Sequence, residues 1–83
     1  MSKQDKYSEE ELLHIACTNS YRVIVLGEDW QEVFKEEDNF FAHNPAKRVI
    51  ELQLVDTLLF YFNSIEDFEK CIRLRNYLQE KMN

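Results

Sequence analysis

Val49-Ile50-Glu51-Leu52-Gln53-Leu54-Val55-Asp56-Thr57-Leu58-Leu59-Phe60-Tyr61-Phe62 is the stretch whose reading decides the fold. At a helical period Leu52, Val55, Leu59 and Phe62 make one stripe, and Leu54, Leu58 and Tyr61 make a second. A helix apolar over so wide an arc is contacted on two sides. At a period of two, Ile50, Leu52 and Leu54 alternate with polar residues and read as half of a β-hairpin. That hairpin would turn at Asp56-Thr57, which lacks the glycine or asparagine chemistry of a tight turn. A helix over about 45–62 is the better expectation. Asn44 supplies its N-cap, and Pro45 sits at the first position, where no amide partner is needed.

Working outward, Asn63-Ser64 is a short link to a second amphipathic segment, about 65–81. Ser64 with Asp67 reads as its start. Phe68, Cys71, Ile72, Leu74 and Leu78 are the expected buried set. Glu66–Lys70 and Glu69–Arg73 are acid-first pairs four residues apart. Two helices joined so closely form an antiparallel hairpin. Upstream, Ser8 with Glu11 is a capping box and Gly27 fits a left-handed helix stop. These bound a first helix over about 9–26, with Leu12, Ile15, Ala16, Val23 and Leu26 inward and Asn19 interrupting. Asp29 with Glu32 starts another helix, about 30–42, which turns Trp30, Val33, Phe34, Phe40 and Phe41 inward. Glu36-Glu37-Asp38-Asn39 is its weak point. The expected fold is all-α: a four-helix domain, 1–83, ending in the hairpin, with 1–7 as a flexible lead-in. The alternative is α+β, with 20–26 and/or 49–62 as strands, because Tyr21-Arg22-Val23-Ile24-Val25-Leu26 has strong β character.

Asp67-Phe68-Glu69-Lys70, followed after three residues by Leu74-Arg75, resembles the second helix of the UVR domain. That domain is a short antiparallel helical hairpin found in nucleotide-excision repair proteins and in some protein-arginine kinase activators. The resemblance covers roughly 46–80. Cys71 and Ile72 take the place of the family's small residues, and Tyr77 or Leu78 closes the hairpin. The first arm is more apolar than a freestanding hairpin needs, which implies packing on the first two helices. The role implied by the resemblance is docking on a protein partner.

Composition bounds the rest. The 83 residues make a single small domain, and 45% hydrophobic residues exclude a disordered chain. A core of that size gains from self-association or a partner, so a homo-oligomer is one expectation. The net charge is −6. Glu28, Asp29, Glu32, Glu36, Glu37 and Asp38 face only Lys35 within 28–38, so most of the excess sits there. A basic nucleic-acid footprint is missing. The acidic run reads first as a solvated helix face and second as a patch for a partner with a basic surface. Cys17 and Cys71 read as buried free thiols, which points to a reducing, cytoplasmic setting. No signal peptide or bilayer-spanning stretch is expected.

No catalytic set assembles. His14-x-x-Cys17 lacks further ligands at zinc spacing. His43 reads as a helix C-terminal residue, Cys71 has no activating base close in sequence, and one glycine leaves no phosphate-cradling loop. No cofactor or metal is expected, and the chain is not read as an enzyme. Partner-binding candidates are Phe60, Tyr61, Arg73, Arg75, Glu32, Glu36, Glu37 and Asp38. Three consecutive aromatics, Phe60 to Phe62, cannot all face one core, so at least one belongs at the surface. The leading expectation is a small adaptor or regulator acting through helix-mediated protein contact. The alternatives are an acidic inhibitor in the basic groove of a nucleic-acid-processing protein, as some phage-encoded proteins are, and a self-assembling structural subunit.

Overall fold

The computed structural model describes residues 7–36, 39–45 and 52–82. The chain is all-α, with four helices: α1 (Glu9–Ile24), α2 (Trp30–Phe34), α3 (Leu52–Ser64) and α4 (Phe68–Met82). No strand occurs among the described residues. The strand alternatives for 20–26 and for 52–62 are therefore overturned; Asn44 and Pro45 are described and are not helical, and 46–51 of the expected third helix lie outside the described residues. The chain divides into two compact units, residues 1–46 and 47–83.

In the first unit α1 begins as a capping box. The Glu11 amide donates to Ser8 Oγ at 3.2 Å, and the Ser8 amide donates to the Glu11 carboxylate at 3.1 Å. Two otherwise orphaned donors are thereby satisfied. The helix stops because Gly27 takes a left-handed φ of 72°. The Glu28 amide then reaches back to the Arg22 carbonyl at 3.1 Å, six residues away and one further than the return bond of a Schellman turn. The buried face of α1 is not the expected stripe. Cys17, Asn19, Ser20, Tyr21 and Ile24 are buried, Leu12, Ile15, Ala16 and Val23 are half-buried, and Leu26 is exposed. The burial follows Asn19 and Ser20, whose side chains find polar partners in the segment that follows α2.

α2 is capped by Asp29, which accepts from the Gln31 amide at 2.9 Å, and it ends at Phe34 rather than near Ala42. The physical reason lies in its last turn. Lys35 and Glu36 amides bond back to Glu32 and Val33, tightening the end, and Asn39 Nδ2 donates to the Phe34 carbonyl at 3.0 Å. Val33 is buried, whereas Phe34 is exposed and meets Trp30 edge-on at 6.2 Å. Phe40 and Phe41 lie in the non-helical segment 39–45 and are half-buried.

The second unit is a helical hairpin in which α3 packs on α4. Val55, Leu58 and Phe62 of α3 and Cys71 and Leu74 of α4 are its buried core. Burying each large side chain contributes roughly 1.5–3 kcal/mol before entropy is counted. The link between the helices is a Schellman turn. Glu66 takes φ 62°, the Glu66 amide returns to Asn63 O at 3.1 Å, and the Asp67 amide returns to Phe62 O at 2.9 Å. Asp67, not Ser64, caps α4: its Oδ1 accepts from the Lys70 amide at 3.4 Å and its Oδ2 from Lys70 Nζ at 2.8 Å. Ser64 instead ends α3, donating to the Tyr61 carbonyl at 2.6 Å. The later start changes which face of α4 is inward. Phe68 and Ile72, expected in the core, are exposed, while Cys71 and Leu74 hold the buried line with Leu78 half-buried.

Candidate functional site

The candidate surface of the hairpin begins with the three aromatics at the end of α3. Phe62 is fully buried and lies under Lys70, whose Nζ is 5.6 Å from the ring centroid. Tyr61 is half-buried and meets Phe62 edge-on at 5.2 Å. Phe60 is 79% exposed. Successive helical residues turn by about 100°, so when Phe62 enters the core Phe60 is carried to the opposite side. Phe60 is a large rigid apolar side chain that solvent covers at a real free-energy cost.

Arg73 and Arg75 do not form one constellation. Both are exposed, but two positions on a helix stand about 200° apart, so they leave α4 on different sides. Arg73 donates to Glu69 at 3.0 Å. Arg75 stands beside Phe68 and Ile72 in helical register and makes no ion pair among the described residues. Tyr77, half-buried with Lys81 5.5 Å above its ring, has its hydroxyl proton held more tightly than usual by burial.

The acidic candidates are partly consumed by the fold. Arg22 projects from α1 and forks onto two carboxylates: Nη2 lies 2.7 Å from Glu28 and 2.8 Å from Glu36. Nε adds bonds to both Glu28 oxygens, at 3.1 and 3.0 Å. Hydrogen bonding to Glu36 first, then to Glu28, raises the already high affinity of the guanidinium for its proton. The same bond to Arg22 holds the Glu36 carboxyl below the ordinary glutamate range. Glu32 is bridged to Lys35 at 3.3 Å, both exposed. Glu37 and Asp38 lie outside the described residues. Part of the sequence's acidic run is thus an internal brace between α1 and the end of α2, a use that the charge count alone does not reveal.

A polar clamp that the sequence reading missed sits beside it. Ser20 is fully buried, the Ala42 amide donates to its Oγ at 2.8 Å, and its Oγ lies 2.8 Å from His43 Nδ1. With the amide already donating to Oγ, Ser20's own proton is directed at Nδ1, which leaves the imidazole proton on Nε2. Burial depresses the basicity of His43, in keeping with a neutral ring. Asn19 Nδ2 donates to the Phe40 carbonyl at 2.9 Å. His43 is therefore not a helix-terminal cation but a ligand of α1. Its only forewarning was Asn19, the polar residue interrupting an apolar stripe. Ser20 Oγ is fully buried, with its bonds to the Ala42 amide and to His43 made inside the first unit.

His14 is exposed and Cys17 buried, so the two do not share a site. Both cysteines are free and buried, and burial raises the Cys17 thiol's affinity for its proton. Among the described residues no group of three or more His, Cys, Asp or Glu is placed to hold a metal ion, and no helix is long and apolar enough to cross a membrane. Comparisons with protein families, with characterised proteins and with solved structures gave no match for this chain.

Proposed function

We propose that this chain is a small acidic adaptor or regulator, without catalytic activity of its own, that docks another protein through its C-terminal hairpin. The observation that carries the reading is Phe60: 79% exposed, on a helix anchored by the buried Phe62 and Leu58. A rigid aromatic on a pre-formed helix loses little entropy on binding and is the kind of side chain that anchors interfaces. The partner's chemistry follows: an apolar pocket for Phe60. The likeness of 46–80 to the UVR hairpin, a protein-contact module, supports the same role. Two free, buried thiols support a reducing, cytoplasmic setting. The competing inhibitor reading draws less support, since Glu36 is spent on Arg22 and Glu32 on Lys35.

Affinity purification from the native host with the wild-type chain and Phe60→Ala tests the reading. A stoichiometric protein partner should be retained by the wild type and lost from the variant, at unchanged helix content. Recovery of no such partner, or equal recovery with Phe60→Ala, would contradict it.

A further inference from the structure

α3 carries a single charge. From Leu52 to Ser64 every residue is uncharged except Asp56. Asp56 is exposed and stands past the first turn, so it neither caps α3 nor answers its dipole. It makes no ion pair among the described residues, and α3 has no Lys or Arg to supply one. Aspartate is a poor helix former, so at this position it works against the helix. It sits between two exposed apolar side chains: Leu52 one turn before it, 49% exposed, and Phe60 one turn after, 79% exposed. Residues four apart lie on one ridge with Cβ atoms about 5–6 Å apart. Phe60 is turned only about 40° from Asp56 around the axis. The hydroxyls of the same face are spent within the helix, Thr57 on the Gln53 carbonyl at 3.0 Å and Ser64 on the Tyr61 carbonyl at 2.6 Å. The ridge therefore offers outward an aliphatic side chain, a carboxylate and an aromatic ring, in that order.

We propose that Asp56 and Phe60 together seat an arginine of the docked protein: its guanidinium forks onto the Asp56 carboxylate and lies against the Phe60 ring, at the lip of the pocket that takes the ring. The inference rests on the docking role proposed above and names the partner's chemistry at that surface. Desolvation is the reason. An interface of ordinary size covers about 800 Å² on each side, wider than one helical turn. A pocket that closes over Phe60 therefore takes Asp56 out of water with it. A carboxylate buried without a counter-charge costs more than the ring gains. Nothing on α3 supplies that counter-charge, so the partner brings it. Arginine suits the place better than lysine. Its planar fork gives two parallel bonds to one carboxylate, it is the more weakly hydrated cation, and it stacks on an aromatic face. Leu52 gives apolar contact on the far side of the carboxylate and helps to keep water from the pair. The chain's net charge of −6 adds a longer-range pull on a basic partner surface.

Selection of short random peptides displayed on phage against the full chain tests the inference, with the Phe60→Ala chain used to remove binders that ignore that residue. The peptides that remain should carry an arginine beside apolar residues. As synthetic peptides they should bind Asp56→Asn about tenfold or more weakly than the wild type, at an unchanged far-ultraviolet circular dichroism spectrum. Replacing the peptide's arginine by lysine should weaken binding to the wild type as well. Raising salt from about 0.1 M to about 1 M should weaken the wild-type complex and leave that of Asp56→Asn nearly unmoved. Phe60-dependent peptides without arginine would overturn the inference. So would an affinity that neither Asp56→Asn nor the lysine peptide changes, or a selection that yields no Phe60-dependent peptide. A protein from the native host that is retained in a Phe60-dependent way, and equally well by Asp56→Asn, would sink the arginine seat and leave the docking role standing. Loss of Phe60 dependence in that purification would remove both.

Discussion

Arg22 is the residue on which the first unit leans most visibly. One guanidinium gathers Glu28 and Glu36, so it holds together a segment whose own charges repel. Solvent reaches these groups, which limits the gain. Arg22→Met should lower stability by roughly 1 kcal/mol, read as a fall of about 4–8 °C in melting temperature. High salt should lower the wild-type melting temperature and leave the variant nearly unmoved, because the ion pairs are screened. The depressed Glu36 carboxyl adds stability at neutral pH that disappears as pH falls through the ordinary glutamate range and below. Ser20 acts in the opposite environment, fully buried. Ser20→Ala leaves the Ala42 amide and His43 without their partner and should cost about 1–3 kcal/mol. His43 is held neutral by burial, so the unfolded chain binds its proton more readily. Stability should therefore fall as pH drops from about 7 toward 5. Thermal melts across that interval check the sign: His43→Asn should flatten the slope, and an unchanged slope would show that His43 is not its source.

The turn between α3 and α4 fixes which side of each helix faces inward. Glu66 occupies a left-handed position that favours glycine, with φ 62°. Replacing it should relieve that strain: Glu66→Gly is expected to raise stability by about 0.5–1 kcal/mol, measured by urea unfolding. A loss instead would mean that the Glu66 side chain holds the turn. This turn also explains where sequence reading succeeds and fails. The helical character of 52–64 was legible because its apolar residues repeat at a helical period and Asp56-Thr57 makes a poor hairpin turn. The register of α4 was not, since Ser64 and Asp67 are both good caps and spacing alone does not choose between them. The backbone chose Asp67 once Glu66 turned left-handed, and Phe68 and Ile72 moved outward as a consequence. In the sequence the cap at Asp29 marks the start of α2, but nothing marks its stop. The side chain of Asn39 on the Phe34 carbonyl and the pull of Arg22 on Glu36 are contacts between positions 5 and 14 residues apart. The Ser20–His43 bond joins positions 23 apart, and no local pattern announces such a bond. Phe60 lay within reach of sequence reasoning, because three adjacent aromatics on a helix cannot all be covered.

Over the whole molecule, polar braces and apolar packing are used in different places. The first unit, 1–46, is held by Arg22, Asn19 and Ser20 together with a small apolar set. The second, 47–83, is held by the line Val55, Leu58, Phe62, Cys71 and Leu74, while Leu52, Phe60, Ile65, Phe68 and Ile72 are exposed. Marginal burial is expected of so short a chain, and under that constraint Phe60 still stays exposed. The account stands on one arrangement: Phe62 enters the seam between α3 and α4 while Phe60 does not. Aromatic-to-methyl nuclear Overhauser contacts in solution test this most directly. Phe62 ring protons should show strong contacts to Leu74 methyls, and Phe60 ring protons should show none to α4. Strong Phe60–Leu74 contacts, or cross-strand backbone contacts within 52–62, would contradict the hairpin and the docking role built on it.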